Sequence, residues 1–131
     1  MTDESQIETK PRLEKGKEYK LELYPSNKKV KAKYLGYSKR EYNGKGFIDD
    51  NVFVFDDTGK RTYAFVDNHW MIEEEGIITY TSVSSAPIRR ATEKYLKEEF
   101  PNMGTTKEAL EGNKREASRL LKILRDLGED I

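Results

Sequence analysis

The chain has 131 residues and zero formal net charge, and charged residues make up 37% of it against 35% hydrophobic ones. Its length is typical of a single domain, and an aromatic content of 11% at zero net charge disfavours intrinsic disorder. The absence of cysteine excludes disulfides, thiolate metal sites and cysteine nucleophiles. No apolar run approaches the roughly 18 residues of a membrane span, and residues 1–9 contain no secretory segment. We therefore expect a soluble, cytoplasmic protein.

Three regions follow one another along the chain. Residues 1–15 are polar and lack any period, which predicts a flexible N-terminal arm. Residues 16–85 are rich in β-branched and aromatic side chains, with alternation and frequent turn residues. From residue 86 to residue 128 the period becomes helical. Residues 16–131 are accordingly treated as a single domain.

The first strands are predicted from strict alternation. Residues 19–24 place apolar side chains on one face, and after a turn residues 29–34 return with three lysines on the outer face. Gly36 interrupts this second strand and predicts a bend or bulge. The pair Asn43-Gly44 is a strong hairpin signal.

A second hairpin is predicted in the middle of the chain. Residues 51–55 and 61–66 flank the segment 56–60, which suits a type I turn followed by a left-handed glycine. Both strands are apolar on both faces, so both faces must be covered. A last pair of strands is predicted at residues 70–72 and 77–81.

The C-terminal part is predicted to be helical. Residues 88–96 carry an apolar stripe at helical spacing. Thr105 and Asn113 each precede a glutamate by three residues, as in a capping box, which predicts a short helix over 106–111 and a longer one over 114–127.

These elements predict an α+β fold. A meander of five or six short antiparallel strands has unpaired edges and a small core, and curling into a barrel removes both problems. We therefore expect a small, strongly bent antiparallel β-barrel over 16–85, followed by two or three C-terminal α-helices. The leucine stripe of the helices is expected to pack on an aromatic face made by Phe53, Phe55, Tyr63 and Phe65.

Residues 16–37 resemble the first hairpin of small barrels of the Sm-like and Src-homology-3-like kind. The similarity rests on alternating apolar residues from Tyr19 to Leu23, a turn, and a second alternating run that ends at Gly36. Residues 53–65 are similar to the middle hairpin of Tudor-type barrels. The resemblance implies a barrel fold, and members of those families commonly bind nucleic acid or peptides. It assigns no binding residues to this chain.

Zero net charge conceals two opposed blocks. Residues 10–45 contain 12 Lys/Arg and 4 Asp/Glu, whereas residues 49–75 contain 2 Lys/Arg and 8 Asp/Glu. Lysines at alternate positions of a strand are spaced about 6.6–6.8 Å apart, close to the separation of successive phosphates. The basic block and a basic stripe on the last helix therefore predict a nucleic-acid interface. The candidate residues are Lys29, Lys31, Lys33, Tyr37, Lys39, Arg40, Lys45, Arg115, Arg119 and Lys122.

A structural interpretation of these charges stands beside the functional one. The strand lysines also fit an edge strand protected against aggregation and partly paired to Glu18 and Glu22 across the hairpin. The basic stripe of the last helix also fits an ordinary solvated face.

The function falls into one of three classes. We expect a non-enzymatic binding module whose partner is DNA or RNA. The alternative is a protein-interaction or self-assembly module that uses the aromatic sheet face or the leucine-rich helix. An enzyme is disfavoured because the chain has a single histidine and no recognised catalytic motif. The absence of cysteine and the single histidine favour no metal and no other cofactor, and the lack of a long apolar run favours no membrane partner.

Overall fold

The computed structural model describes residues 13–23, 26–41, 47–68, 71–80 and 88–131. In this part of the chain a π-helical turn (Tyr95–Glu99) and a 3₁₀ turn (Phe100–Asn102) precede the α-helix α1 (Lys107–Asp126). The fold is α+β. The strands are β1 (Glu18–Leu23), β2 (Lys28–Glu41), β3 (Phe47–Asp57), β4 (Lys60–Asp67), β5 (Met71–Glu74), β6 (Ile77–Tyr80) and β7 (Ile88–Thr92).

The seven strands form one mixed sheet in the order β5-β6-β1-β2-β3-β4-β7, and it does not close. β1 pairs in parallel with β6, whereas the other neighbours are antiparallel. The prediction of an antiparallel barrel of five or six strands is therefore wrong. The segment Ile88–Thr92, assigned to a helix from its apolar spacing, is a strand that pairs with β4. It occupies the edge of β4 along which a barrel would have to close.

Each face of the central hairpin is buried, as the two-sided apolarity predicts. On one face, here called the helix face, Tyr63 and Phe65 belong to a cluster that includes Leu120 and Leu124 of α1. On the opposite face, Phe53 packs in a second cluster with residues such as Leu21 and Ile78. The two clusters place the core on both sides of the sheet.

The predicted single aromatic face is wrong. Phe53 lies opposite Ala64, and Val54 lies opposite Tyr63, in the register of β3 and β4. Because residues directly opposite each other in an antiparallel pair share a face, Phe53 and Tyr63 point to different sides of the sheet.

The predicted irregularity at Gly36 is confirmed as a β-bulge. The register of β2 on β3 shifts between Tyr34 and Gly36, and Gly36 has a φ of +141°. A Cβ at this position would lie 2.8 Å from Cδ2 of Leu127, so the residue after α1 packs directly over the bulge. Because of the extra residue, odd-numbered side chains of β2 point to the helix face before the bulge and to the opposite face after it.

Two local predictions are corrected by backbone geometry. The β3–β4 turn contains only Thr58 and Gly59, both with positive φ, which is the type I′ hairpin geometry rather than a type I turn with a following glycine. The predicted helices 106–111 and 114–127 are one continuous helix. Its N-cap is Thr106, whose hydroxyl accepts a hydrogen bond of 3.1 Å from the N–H of Ala109.

Candidate nucleic-acid interface

Four lysines form an exposed group on the helix face, beyond the area that α1 covers. Lys33 lies opposite Val54, a residue of the helix-side cluster, which fixes the face of β2 to which it belongs. Lys31 and Lys29 follow on the same face at the two-residue period of a strand. Lys20 lies on β1 directly opposite Lys31. Lys20, Lys29, Lys31 and Lys33 are all exposed and are here called the lysine patch.

The patch is only partly neutralised by acidic neighbours. Glu22 lies opposite Lys29 and forms an ion pair with it at 3.5 Å, and Glu18 lies opposite Lys33. The pairing of these lysines across the hairpin, as in the structural interpretation of the charges, is therefore present for Lys29. The other half of that interpretation fails, because β2 lies between β1 and β3 and is not an edge strand.

The centre of the patch is a like-charge pair. Lys20 and Lys31 face each other across two paired strands, where Cβ atoms are about 4.5–5.5 Å apart. In the described part of the chain neither lysine forms an ion pair. Opposed like charges destabilise a strand pair, so an anion placed between them removes an existing repulsion.

A polar network borders the patch at the end of α1. Oε1 of Glu129 accepts hydrogen bonds from Nη2 of Arg61 at 2.6 Å and from the hydroxyl of Tyr63 at 2.7 Å. Burial opposes ionisation of Glu129, yet the hydrogen bonds from Arg61 and Tyr63, together with the nearby charge of Lys33, lower the pKa of this carboxyl. Lys33 is thus partly compensated by Glu129, whereas Lys31 is not.

Two predicted contacts lie on the opposite face of the sheet. After the bulge, Tyr37 pairs with Asn51, packs against the second cluster and donates a hydrogen bond of 3.2 Å to Asp49. Lys39 lies directly opposite Asp49 and therefore shares that face. The bulge separates Tyr37 and Lys39 from the lysine patch.

Two further predicted residues have side chains outside the described part of the chain. The backbone of Arg40 pairs with Ile48 in β2–β3. Lys45 lies outside the described residues.

The three predicted cations of α1 are exposed, and two of them pair with acids of the same helix. Arg119 pairs with Glu116 at 3.3 Å, and Lys122 pairs with Asp126 at 3.0 Å. Arg115 is exposed on the same helix. The structure therefore brings together Lys29, Lys31 and Lys33 on one face of β2.

The sequence prediction does not include Lys20, because it places the interface only on the outer face of the return strand. The signal was available, since the alternation of residues 19–24 already places Lys20 on the polar face. Pairing the two strands as a hairpin about their connecting turn places Lys20 directly opposite Lys31.

Among the described residues, no three histidine, aspartate or glutamate side chains are grouped so that they could hold a metal ion. Within the same residues, α-helical segments are too short or too polar to traverse a bilayer. Comparison with family models, curated proteins and solved structures finds no match for this chain.

Proposed function

We propose that this protein is a non-enzymatic binding module that holds the phosphate backbone of a nucleic acid on the lysine patch. The observation that carries the proposal is the exposed pair Lys20–Lys31, whose opposed charges lie at the centre of the patch without an acidic partner in the described chain.

The geometry of the patch suits a phosphate backbone. Lysines of β2 repeat at about 6.6–6.8 Å along the strand, so successive phosphates meet successive ammonium groups. Lys20 adds a second cation beside Lys31, and the oxygens of one phosphate group can accept hydrogen bonds from both ammonium groups. Each contact releases condensed counterions, which is the main source of affinity in backbone binding.

The acidic neighbours limit the strength of this interaction. Glu18 and Glu22 lie on the same face, opposite Lys33 and Lys29. We therefore expect sequence-independent binding in the range of about 10⁻⁴ to 10⁻⁶ M at physiological salt, as is usual for backbone contacts alone.

The aromatic sheet face and the leucine stripe, the two candidate surfaces for a protein partner, are buried inside the protein. Phe53 and Phe55 are 0% and 4% exposed, and Tyr63 and Phe65 are 1% and 2% exposed. Leu120, Leu121 and Leu124 of α1 pack in the helix-side cluster. These values favour the lysine patch over the aromatic face or the leucine stripe as a docking surface.

A charge-reversal experiment tests the proposal. The variant Lys31→Glu converts the Lys20–Lys31 repulsion into an attraction, so the free energy of unfolding should rise by about 0.2–1 kcal/mol. The same change should weaken binding to a single-stranded oligonucleotide about tenfold at low salt, because it removes one phosphate contact and adds a repulsion. Fluorescence anisotropy and urea unfolding measure the two effects.

The matched control reverses two exposed lysines of α1 with the variant Lys107→Glu/Lys114→Glu. It changes the net charge by more than Lys31→Glu does, yet it should leave affinity within about twofold, because long-range effects of exposed charges are screened by salt. Equal weakening by both variants, or no binding of the unmodified protein at low ionic strength, would refute the lysine patch as the interface.

A further inference from the structure

The sheet face that carries the lysine patch continues beyond it onto β6 and β5. One row of directly opposed residues crosses four strands of this face. In the order β2, β1, β6 and β5, the row consists of Lys31, Lys20, Ile77 and Glu74. Because directly opposed residues share a face of the sheet, Ile77 lies on the same face as the lysine patch, beside Lys20.

A second isoleucine on this face is exposed. Ile72 of β5 lies opposite Thr79, which follows Ile77 by two residues and therefore lies on the same face of β6. The exposed fraction of Ile72 is 38%, and Ile77 is half-buried. The two isoleucines are diagonal neighbours across the β5–β6 pair, where Cα atoms are about 7–8 Å apart. Ile72 and Ile77 are here called the isoleucine strip.

The helix α1 packs on the other part of this face. The helix-side cluster takes its sheet residues from β2, β3, β4 and β7. Among the described residues, Ile72 and Ile77 belong to neither hydrophobic cluster. The uncovered part of the face therefore combines a group of cations with an apolar strip beside it.

The charges of this face determine how a nucleotide lies across it. The cations are on β1 and β2, whereas Glu74 lies opposite Ile77 on β5. Glu18 and Glu22 of β1 each lie opposite a lysine of the patch. A phosphate is attracted toward β2 and repelled from β5, so the part of the nucleotide that reaches the isoleucine strip is the uncharged base.

We propose that the lysine patch binds a single-stranded nucleic acid whose bases lie on the isoleucine strip. This inference rests on the proposed function and names the class of nucleic acid. Lys31 and Ile77 are two strands apart, about 9–10 Å, so one nucleotide can place its phosphate on the patch and its base on the strip. Pairing and stacking bury the faces of the bases in a duplex, whereas a single strand exposes them.

Two probes with the same number of phosphates separate base contacts from phosphate contacts. One is a thymidine oligonucleotide of about 12 residues, and the other is an abasic oligomer of the same length. Both are labelled with a fluorophore and titrated with the full chain at about 50 mM salt, and anisotropy gives the affinities. The oligothymidine should bind about fivefold or more tightly, because only it has bases to place on the strip.

The variant Ile72→Ser tests the strip directly. It should weaken oligothymidine binding about threefold to fivefold and leave the abasic oligomer and a duplex of the same length unchanged, because only an apolar base contact is lost. The matched control is Met103→Ser. Met103 is the other exposed large hydrophobic residue in the described part of the chain, at 48%, and it directly follows the 3₁₀ turn. The control should leave all three affinities unchanged, and thermal unfolding checks that both variants fold.

The outcomes distinguish this inference from the proposed function. Weaker oligothymidine binding in Ile72→Ser, without weakening in Met103→Ser, supports the base contact. Equal affinity for oligothymidine and the abasic oligomer, with both weakened by Lys31→Glu, overturns the base contact and leaves the phosphate interface in place. A duplex that Ile72→Ser weakens as much as the single strand also overturns it. Absence of binding to all three probes overturns both proposals.

Discussion

The hydroxyl of Tyr63 donates a hydrogen bond of 2.7 Å to Oε1 of Glu129, so the segment that follows α1 is fastened to the middle of β4. Arg61 binds the same oxygen at 2.6 Å. The Glu129 side chain is only 11% exposed, whereas that of Arg61 is 62% exposed. The ion pair therefore joins a nearly buried carboxylate to a cation that solvent screens.

Replacing this carboxylate should loosen α1 from the sheet. We expect Glu129→Ala to lower the free energy of unfolding by about 1–2 kcal/mol, since three hydrogen bonds to a charged group are lost and the two from Arg61 are solvent-screened. Asp130→Ala, an exposed neighbour, is the control and should change stability by less than about 0.5 kcal/mol. Urea unfolding at neutral pH measures both, and equal losses in the two variants would contradict the role of Glu129.

The same interaction predicts an acid dependence. The hydrogen bonds from Arg61 and Tyr63 outweigh burial and lower the pKa of Glu129 below its ordinary value of 4.5. A lowered carboxyl pKa stabilises the fold fully above pH 4.5 and loses that stabilisation as the pH falls through the folded-state pKa. The stability difference between the native protein and Glu129→Ala should therefore shrink below pH 4.5. A constant difference down to the acid unfolding region would count against it.

Gly36 and Gly112 should respond in opposite directions to the same substitution. At Gly36 a φ of +141° and the approach of Leu127 oppose a side chain, so Gly36→Ala should cost about 1–3 kcal/mol. Gly112 lies inside α1, and the nearest atom to an added Cβ is 3.9 Å away. There Gly112→Ala should stabilise the protein by up to about 1 kcal/mol. Thermal unfolding of the two variants decides the point, and a shift of the same sign in both would contradict the assigned bulge.

The N-cap of α1 offers a test between adjacent threonines. Thr106 accepts from the N–H of Ala109, so Thr106→Ala should lower the free energy of unfolding by about 1 kcal/mol. Thr105→Ala removes an exposed hydroxyl one residue earlier and should have little effect. If Thr105→Ala proved the more damaging change in chemical denaturation, the helix would have to begin one residue earlier.

Alternating sequence patterns predicted the strands whose neighbours are close along the chain. The pairs β1–β2 and β3–β4 are hairpins, so register and facing follow from local alternation and short turns. The placement of Lys29, Lys31 and Lys33 on one face followed for the same reason. The bulge at Gly36 was also visible, because glycine inside a strand pattern marks a local irregularity.

The remaining features depend on contacts between distant segments. The apolar residues Ile88 and Ala91 are three apart and fit a helix, yet the free edge of β4 recruits this segment as β7. The parallel pairing of β6 with β1 joins residues more than 50 positions apart and has no local signal. The face of the sheet to which Tyr37 and Lys39 belong depends on how many extra residues the bulge contains. The presence of a glycine does not specify that number.

The salt dependence of nucleic-acid binding tests the central claim most directly. If three or four lysines of the patch contact phosphates, the logarithm of the association constant for single-stranded DNA should fall with the logarithm of salt concentration with a slope of about −2 to −3. In Lys31→Glu the slope should become shallower by about 1. Absence of binding at about 50 mM salt, or a slope that Lys31→Glu leaves unchanged, would contradict the account.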